Sequence, residues 1–162
     1  MPVTNITKDL DTRSLVITAH FAAGVERVWQ LYADPRQLER VWGPPSYPAT
    51  VVEHSLTPGG RVHYYMTGPE GDRFYGGWSV LTVDEPRGFS FEDFFADEHF
   101  APAAAMPVSR CNYVFEADAE GTTATYTTVY ETAEALQQVL EMGMEEGSRE
   151  SINQIDALLA ED

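Results

Sequence analysis

Between Ser14 and Phe21, in "SLVITAHF", apolar and polar residues alternate and several are β-branched, which predicts a strand with one buried face. The period then changes. In "GVERVWQLYA", Val25, Val28 and Tyr32 recur at steps of three and four, the spacing of a short amphipathic helix. Asp34-Pro35 reads as an N-cap with proline in the first helical position, opening a second short helix through Leu38 to Val41. The three prolines of "WGPPSYP" stop it. The pattern assigns no element to residues 1–13.

The middle of the chain returns to strand-like runs: "ATVVEHSL", "RVHYYMT", "RFYGGWSVLTV", "FSFEDFF", "VSRCNYVFEA" and "TTATYTTVYE". Turn residues separate them at Pro58-Gly59-Gly60, in "GPEGD", at Glu85-Pro86-Arg87-Gly88, in a Pro/Ala loop and near Glu120-Gly121, so an antiparallel meander is expected. Helical spacing resumes after Thr132, a capping residue, with Glu134 in the first turn where the helix dipole favours an acid. This helix is expected to run unbroken to about Leu159. A curved sheet must cover its apolar face, and no other element is long enough. The fold class is therefore α+β, with an antiparallel sheet wrapped around a long C-terminal helix.

Leu136, Leu140, Gly143, Gly147 and Leu158 share one face of that helix, with Ser151 close by and Met144 and Ile155 flanking. Each glycine costs about 1 kcal/mol relative to alanine in a helix interior. Either the glycines let the backbone press against large sheet residues, or they leave room for a cavity. Strand parity supplies large residues for both readings. Val62, Tyr64 and Met66 share a face, with Arg61, His63 and Tyr65 on the other. Phe74, Gly76, Trp78 and Val80 form a second set, and Phe89, Phe91 and Phe95 a third. Tyr113 and Phe115 share a face, as do Tyr126 and Tyr130. Burying one aromatic gains about 1.5–3 kcal/mol, enough to offset a glycine or two. Yet tyrosine and tryptophan tips need partners when buried, which suits a ligand pocket equally well.

Composition narrows the function classes. A length of 162 residues suits one domain spanning 1–162, with its core over about 14–159. Twenty-six acids against ten bases give a net charge of −16, which repels nucleic acid and anionic lipid. No apolar run approaches the roughly 20 residues of a membrane span, so no membrane insertion is expected. The N-terminus lacks a basic segment followed by an apolar one, and Cys111 is the only cysteine. A cytoplasmic location is expected. Assembly as a homodimer is left open.

Catalytic motifs are sparse. His20, His54, His63 and His99 form no metal-binding spacing, so no metal and no cofactor are expected. Cys111 alternates with Tyr113 and is read as an inward small hydrophobe without an activating base. Lys8 is poorly placed for Schiff-base chemistry. Asp93 has the parity of Phe91 and is the one candidate catalytic residue, a general base if it points inward; the favoured reading leaves it solvated where its strand twists or ends.

Four stretches carry a family resemblance: "GVERVWQLYADPRQLERVWGP", "TPGGRVHYYMTGPEG", "GGWSVLTVDEPRGFSF" and "EALQQVLEMGMEEGSRESINQIDALL". Over about Ser14 to Leu159 the chain resembles the START-like (SRPBCC) superfamily, typified by birch-pollen allergen. Within it, the chain is similar to the family related to the C-terminal domain of the heat-shock-protein-90 ATPase activator. The resemblance implies a helix-grip fold with an apolar cavity between sheet and helix, and a "WGP" segment at Trp42 to Pro44 that helps to gate it. The ligand-binding candidates are then Trp42, Tyr64, Met66, Phe74, Trp78, Phe91, Tyr113, Tyr126, Leu140, Gly143, Met144 and Gly147. The expected function is binding of a small hydrophobic or aromatic molecule. One alternative is a polyketide cyclase/aromatase-like or hydrolase-type enzyme, which needs an inward polar group such as Asp93 or a tyrosine. The other is a chaperone-associated module acting through its outer surface.

Overall fold

Hairpin turns set the topology. In the computed structural model, which describes residues 1–162, eight strands form one antiparallel sheet. They are β1 (Val3–Asp9), β2 (Ser14–Phe21), β3 (Ala49–His54), β4 (Arg61–Thr67), β5 (Arg73–Asp84), β6 (Gly88–Ala96), β7 (Val108–Asp118) and β8 (Gly121–Tyr130). Their order is β1-β2-β8-β7-β6-β5-β4-β3. Between β2 and β3 the chain crosses from near one edge of the sheet to the other through α1 (Val25–Ala33) and α2 (Pro35–Val41). Asp34 caps α2 by accepting from the Arg36 amide at 2.9 Å, with Pro35 in the first position. This is the helix-grip architecture. No helix is long and apolar enough to cross a membrane.

Alternation holds along the central strands. Leu15, Ile17, Ala19 and Phe21 of β2 are buried, and so are Thr122, Ala124, Tyr126 and Tyr130 of β8. β1 has no such pattern: only Val3 and Ile6 are partly covered, because it lies at the edge of the sheet. That weak half-burial explains why the pattern of polar and apolar residues assigns it no element.

The expected unbroken C-terminal helix is three segments: α3 (Ala133–Glu141), α4 (Met144–Asn153) and α5 (Ile155–Leu159). Thr132 caps α3, accepting from the Ala135 amide at 3.0 Å. The first break is Gly143, at φ +89°, a left-handed conformation that glycine adopts without the steric cost borne by other residues. Gly143 is therefore not in a helix interior. It ends α3 and starts α4, so the helix-interior penalty applies to Gly147 alone. The second break is Gln154, whose side-chain amide donates to the Gly43 carbonyl at 2.6 Å and ties the terminal helices to the segment after α2.

The densest part of the core is aromatic. Trp78 and Phe91, both fully buried, stack at 4.2 Å between centroids, and Trp42 meets Trp78 edge-on at 4.8 Å. Tyr32 of α1 and Tyr126 of β8 join their hydroxyls at 2.8 Å inside the core, which pins the helix to the sheet. Two adjacent glycines make room for large neighbours. A Cβ on Gly76 would lie 2.5 Å from the Tyr64 hydroxyl, and one on Gly77 would lie 2.6 Å from the Phe94 ring.

Candidate functional site

Under α4 the sheet does not close against the helix. A cavity of about 260 Å³ lies there, lined by 25 residues of which 17 are hydrophobic. The roof is Met144, Gly147, Ser148, Ser151 and Ile152, positions that recur along one face of α4. A Cβ at Gly147 would touch nothing within 4 Å, so the absent side chain leaves space and not a contact. The roof hydroxyls are satisfied within the helix: Ser151 donates to the Gly147 carbonyl at 2.8 Å and Ser148 to Met144 Sδ at 3.6 Å. Phe74 lies on the rim and is half exposed, marking where the cavity meets the surface.

Of the candidates read from the sequence, Trp42, Tyr64, Met66, Phe74, Tyr113, Tyr126, Met144 and Gly147 line this cavity. Trp78 and Phe91 stand behind the wall in the fully buried aromatic stack. Leu140 instead borders a separate groove with Lys8 and Asp9, and Gly143 is exposed. The helix break rotates both away, which a continuous helical wheel cannot anticipate. Further lining comes from Phe94, Phe95, Ser109, Cys111, Thr128 and Tyr130. Cys111 and Tyr130 have the inward parity read from the sequence; Ser109 and Thr128 share it, but small polar residues do not attract attention as wall material.

Asp93 is not solvated at a strand end. β6 continues to Ala96, and Asp93 pairs with Trp78 on one side and Ser109 on the other, so it keeps the inward parity of Phe91. It lines the cavity, where Tyr64 donates to its Oδ1 at 3.0 Å. Burial pushes the carboxyl up to about 7, against the partial opposition of the Tyr64 hydrogen bond and the Phe94 amide. Burial likewise pushes the Cys111 thiol up to about 12, with the Asp93 charge adding to it. Desolvation raises the Tyr64, Tyr113 and Tyr126 phenols well above their ordinary value. At neutral pH the thiol and the phenols are uncharged hydrogen-bonding groups, while Asp93 is divided between its acid and its carboxylate. The indole N–H of Trp42, which meets Tyr64 edge-on at 5.7 Å, is buried without a hydrogen-bond partner.

No histidine lines the cavity. His54 bonds the Tyr32 carbonyl at 2.8 Å, His20 meets Asp118 at 3.2 Å, and His63 stacks on Phe100 at 4.7 Å on the opposite side of the sheet from Tyr64. No group of three or more His, Cys, Asp or Glu side chains stands close enough together to hold a metal ion.

Residues 22–160 match the family model described as "Activator of Hsp90 ATPase homolog 1-like protein". Among solved structures, protein Ms6760 from Mycobacterium smegmatis is 61% identical, over 98% of this chain and 97% of its own, with a TM-score of 0.91. A protein from Arthrobacter aurescens is 46% identical, over 99% and 93% of the two chains, with a TM-score of 0.94. The AHSA1 protein of Silicibacter pomeroyi, 22% identical over 91% and 97% with a TM-score of 0.72, shares the fold. A comparison with proteins of curated function finds no match.

Proposed function

The chain belongs to the Activator of Hsp90 ATPase homolog 1-like family, and we propose that this member binds one compact hydrophobic or aromatic molecule under α4. The observation that carries the reading is the cavity itself. It is mostly apolar, it is roofed where Gly147 leaves space, and it holds a convergent polar pair, Asp93 and Tyr64. Its volume of about 260 Å³ falls just under the usual range of roughly 300–1,000 Å³ for ligand pockets, which favours a one- or two-ring molecule over a sterol or long acyl chain. Burying about 250 Å² of such a ligand contributes about 6 kcal/mol. Lost translational freedom offsets much of that, so polar pairing decides whether binding is tight. The proposal includes a cytoplasmic location, supported by the single, buried Cys111.

Native mass spectrometry of protein purified without detergent tests the reading, followed by thermal melts with a panel of one- and two-ring compounds. A retained small molecule, or stabilisation that is lost in Gly147→Leu, supports it. A protein that retains nothing and is stabilised by no member of the panel overturns it.

The Asp93–Tyr64 pair favours a second reading, proton transfer to or from a bound molecule. A carboxyl that titrates near neutrality beside a fixed hydroxyl can take a proton from an acidic carbon of a bound ketone and return it. Deuterium incorporation from heavy water into such a ketone, abolished in Asp93→Asn, checks it.

A further inference from the structure

The charge inventory of the cavity is one-sided. Asp93 is the only carboxylate on its wall, and no lysine, arginine or histidine reaches it. Much of the remaining wall is aromatic, including Trp42, Tyr64, Tyr113, Tyr126 and Tyr130. An organic anion entering this space would lose its hydration, meet no cation and face a carboxylate of its own sign. A neutral guest would gain desolvation and one or two hydrogen bonds. A protonated amine would gain these and an opposite charge, inside a wall rich in rings that attract cations.

We propose that the ligand is a compact arylalkylamine, its amine on a saturated carbon beside the ring, held as its ammonium by Asp93, with Tyr64 fixing the carboxylate in place. The inference rests on the cavity-binding reading and assigns its ligand class. The geometry suits the role. The Tyr64 hydroxyl donates to Oδ1 at 3.0 Å and the Phe94 amide supports the carboxyl from its own strand, but no other side chain donates to it, which leaves it lone-pair capacity for the guest. The Tyr64 ring lies over β5, in the space that a side chain at Gly76 would take. The buried, unpartnered Trp42 N–H adds no positive charge to compete with the guest.

Protonation couples to binding in a defined direction. Tyr64, Cys111, Tyr113 and Tyr130 are the titratable groups nearest Asp93, and all stay neutral around pH 7. The empty cavity therefore holds Asp93 partly as the neutral acid. An arriving ammonium restores the carboxylate and displaces that proton to solvent, so amine binding strengthens as pH rises from about 5.5 to about 8, while alcohol binding does not.

The test uses three molecules of one skeleton: 1-naphthylmethylamine, 1-naphthalenemethanol and 1-naphthoic acid, titrated calorimetrically into the wild-type protein. At about pH 8 the amine is expected to bind at least about tenfold more tightly than the alcohol, with the acid weakest. The advantage of the amine should shrink at about pH 5.5 and vanish in Asp93→Asn. Equal binding of amine and alcohol, or tighter binding of the acid, overturns the amine assignment and leaves the cavity-binding reading intact, provided that Gly147→Leu abolishes it. If none of the three binds, the amine assignment falls, and the cavity-binding reading is decided separately by the native mass spectrometry and the compound panel. The comparison within the wild type needs no variant to fold.

Discussion

Tyr64 and Asp93, on strands separated by β5, meet at 3.0 Å across a glycine. Tyr64 is paired with Gly76, and its ring fills the space a side chain there would take. The hydrogen bond that gives the cavity its one ionisable pair therefore depends on a residue with no side chain.

Gly76→Ala is expected to cost about 1–3 kcal/mol, because the new methyl overlaps the buried Tyr64 ring, which must shift to admit it. The same variant should loosen the Tyr64–Asp93 bond. Chemical denaturation of Gly76→Ala, Tyr64→Leu and the double variant checks this. The double variant should be more stable than the sum of the two single losses implies.

Asp93 should make the empty protein less stable as the solution becomes more basic. Its carboxyl sits at about 7 when folded and near 3.8 when unfolded, so between these values the folded state holds a proton that the unfolded state has released. Stability falls as pH rises from about 4 to about 7 and is flat above, by at most about 4 kcal/mol at 1.36 kcal/mol per unit. Asp93→Asn can still accept from Tyr64 and should remove this slope. Other groups titrate too: burial lowers His63, and hydrogen bonds from Thr123, Glu120 and His20 hold Asp118 at about 2. The measurement is therefore the difference between wild type and variant in urea melts across that range, with the variant gaining relative stability as pH rises.

The two helix glycines should respond oppositely to alanine. Gly147 sits inside α4 with open space around it, so Gly147→Ala is expected to stabilise by roughly 0.5–1 kcal/mol. Gly143 is at φ +89°, so Gly143→Ala should destabilise by about 1–2 kcal/mol. Paired thermal melts decide it. Equal signs would mean that the helix is continuous after all.

Tyr32→Phe and Tyr126→Phe each remove one partner of the hydroxyl pair at 2.8 Å and should each cost about 1–2 kcal/mol. The double variant leaves no unpaired hydroxyl and should cost less than the two together, which a double-mutant cycle reads directly.

The sheet, the two early helices and their caps were legible because each rests on local chemistry: Asp34-Pro35, Thr132 and the alternation of "SLVITAHF". β1 was hidden because an edge strand buries too little to enforce a pattern. The division of the last helix was hidden for another reason. A single glycine at helical spacing looks the same in sequence whether it sits in a helix or ends one, and only its φ tells them apart. That ambiguity propagated to the cavity wall, placing Leu140 and Gly143 on it and leaving Ser148 off. Asp93 was legible in parity but not in burial, since whether β6 continues beyond it depends on partners in β5 and β7.

The segmentation of the C-terminal helices separates two tasks that a single rod would combine. Leu136, Val139, Ile155 and Leu158 anchor the outer segments, while the ten residues of α4 span the hollow with little more than Ser151 and Ile152 embedded. Choice of guest is thus concentrated on a short panel bounded by its own joints. Exchanging Met144–Asn153 between relatives should transplant appetite for one molecule or another, while the scaffold that grips the panel stays as it is.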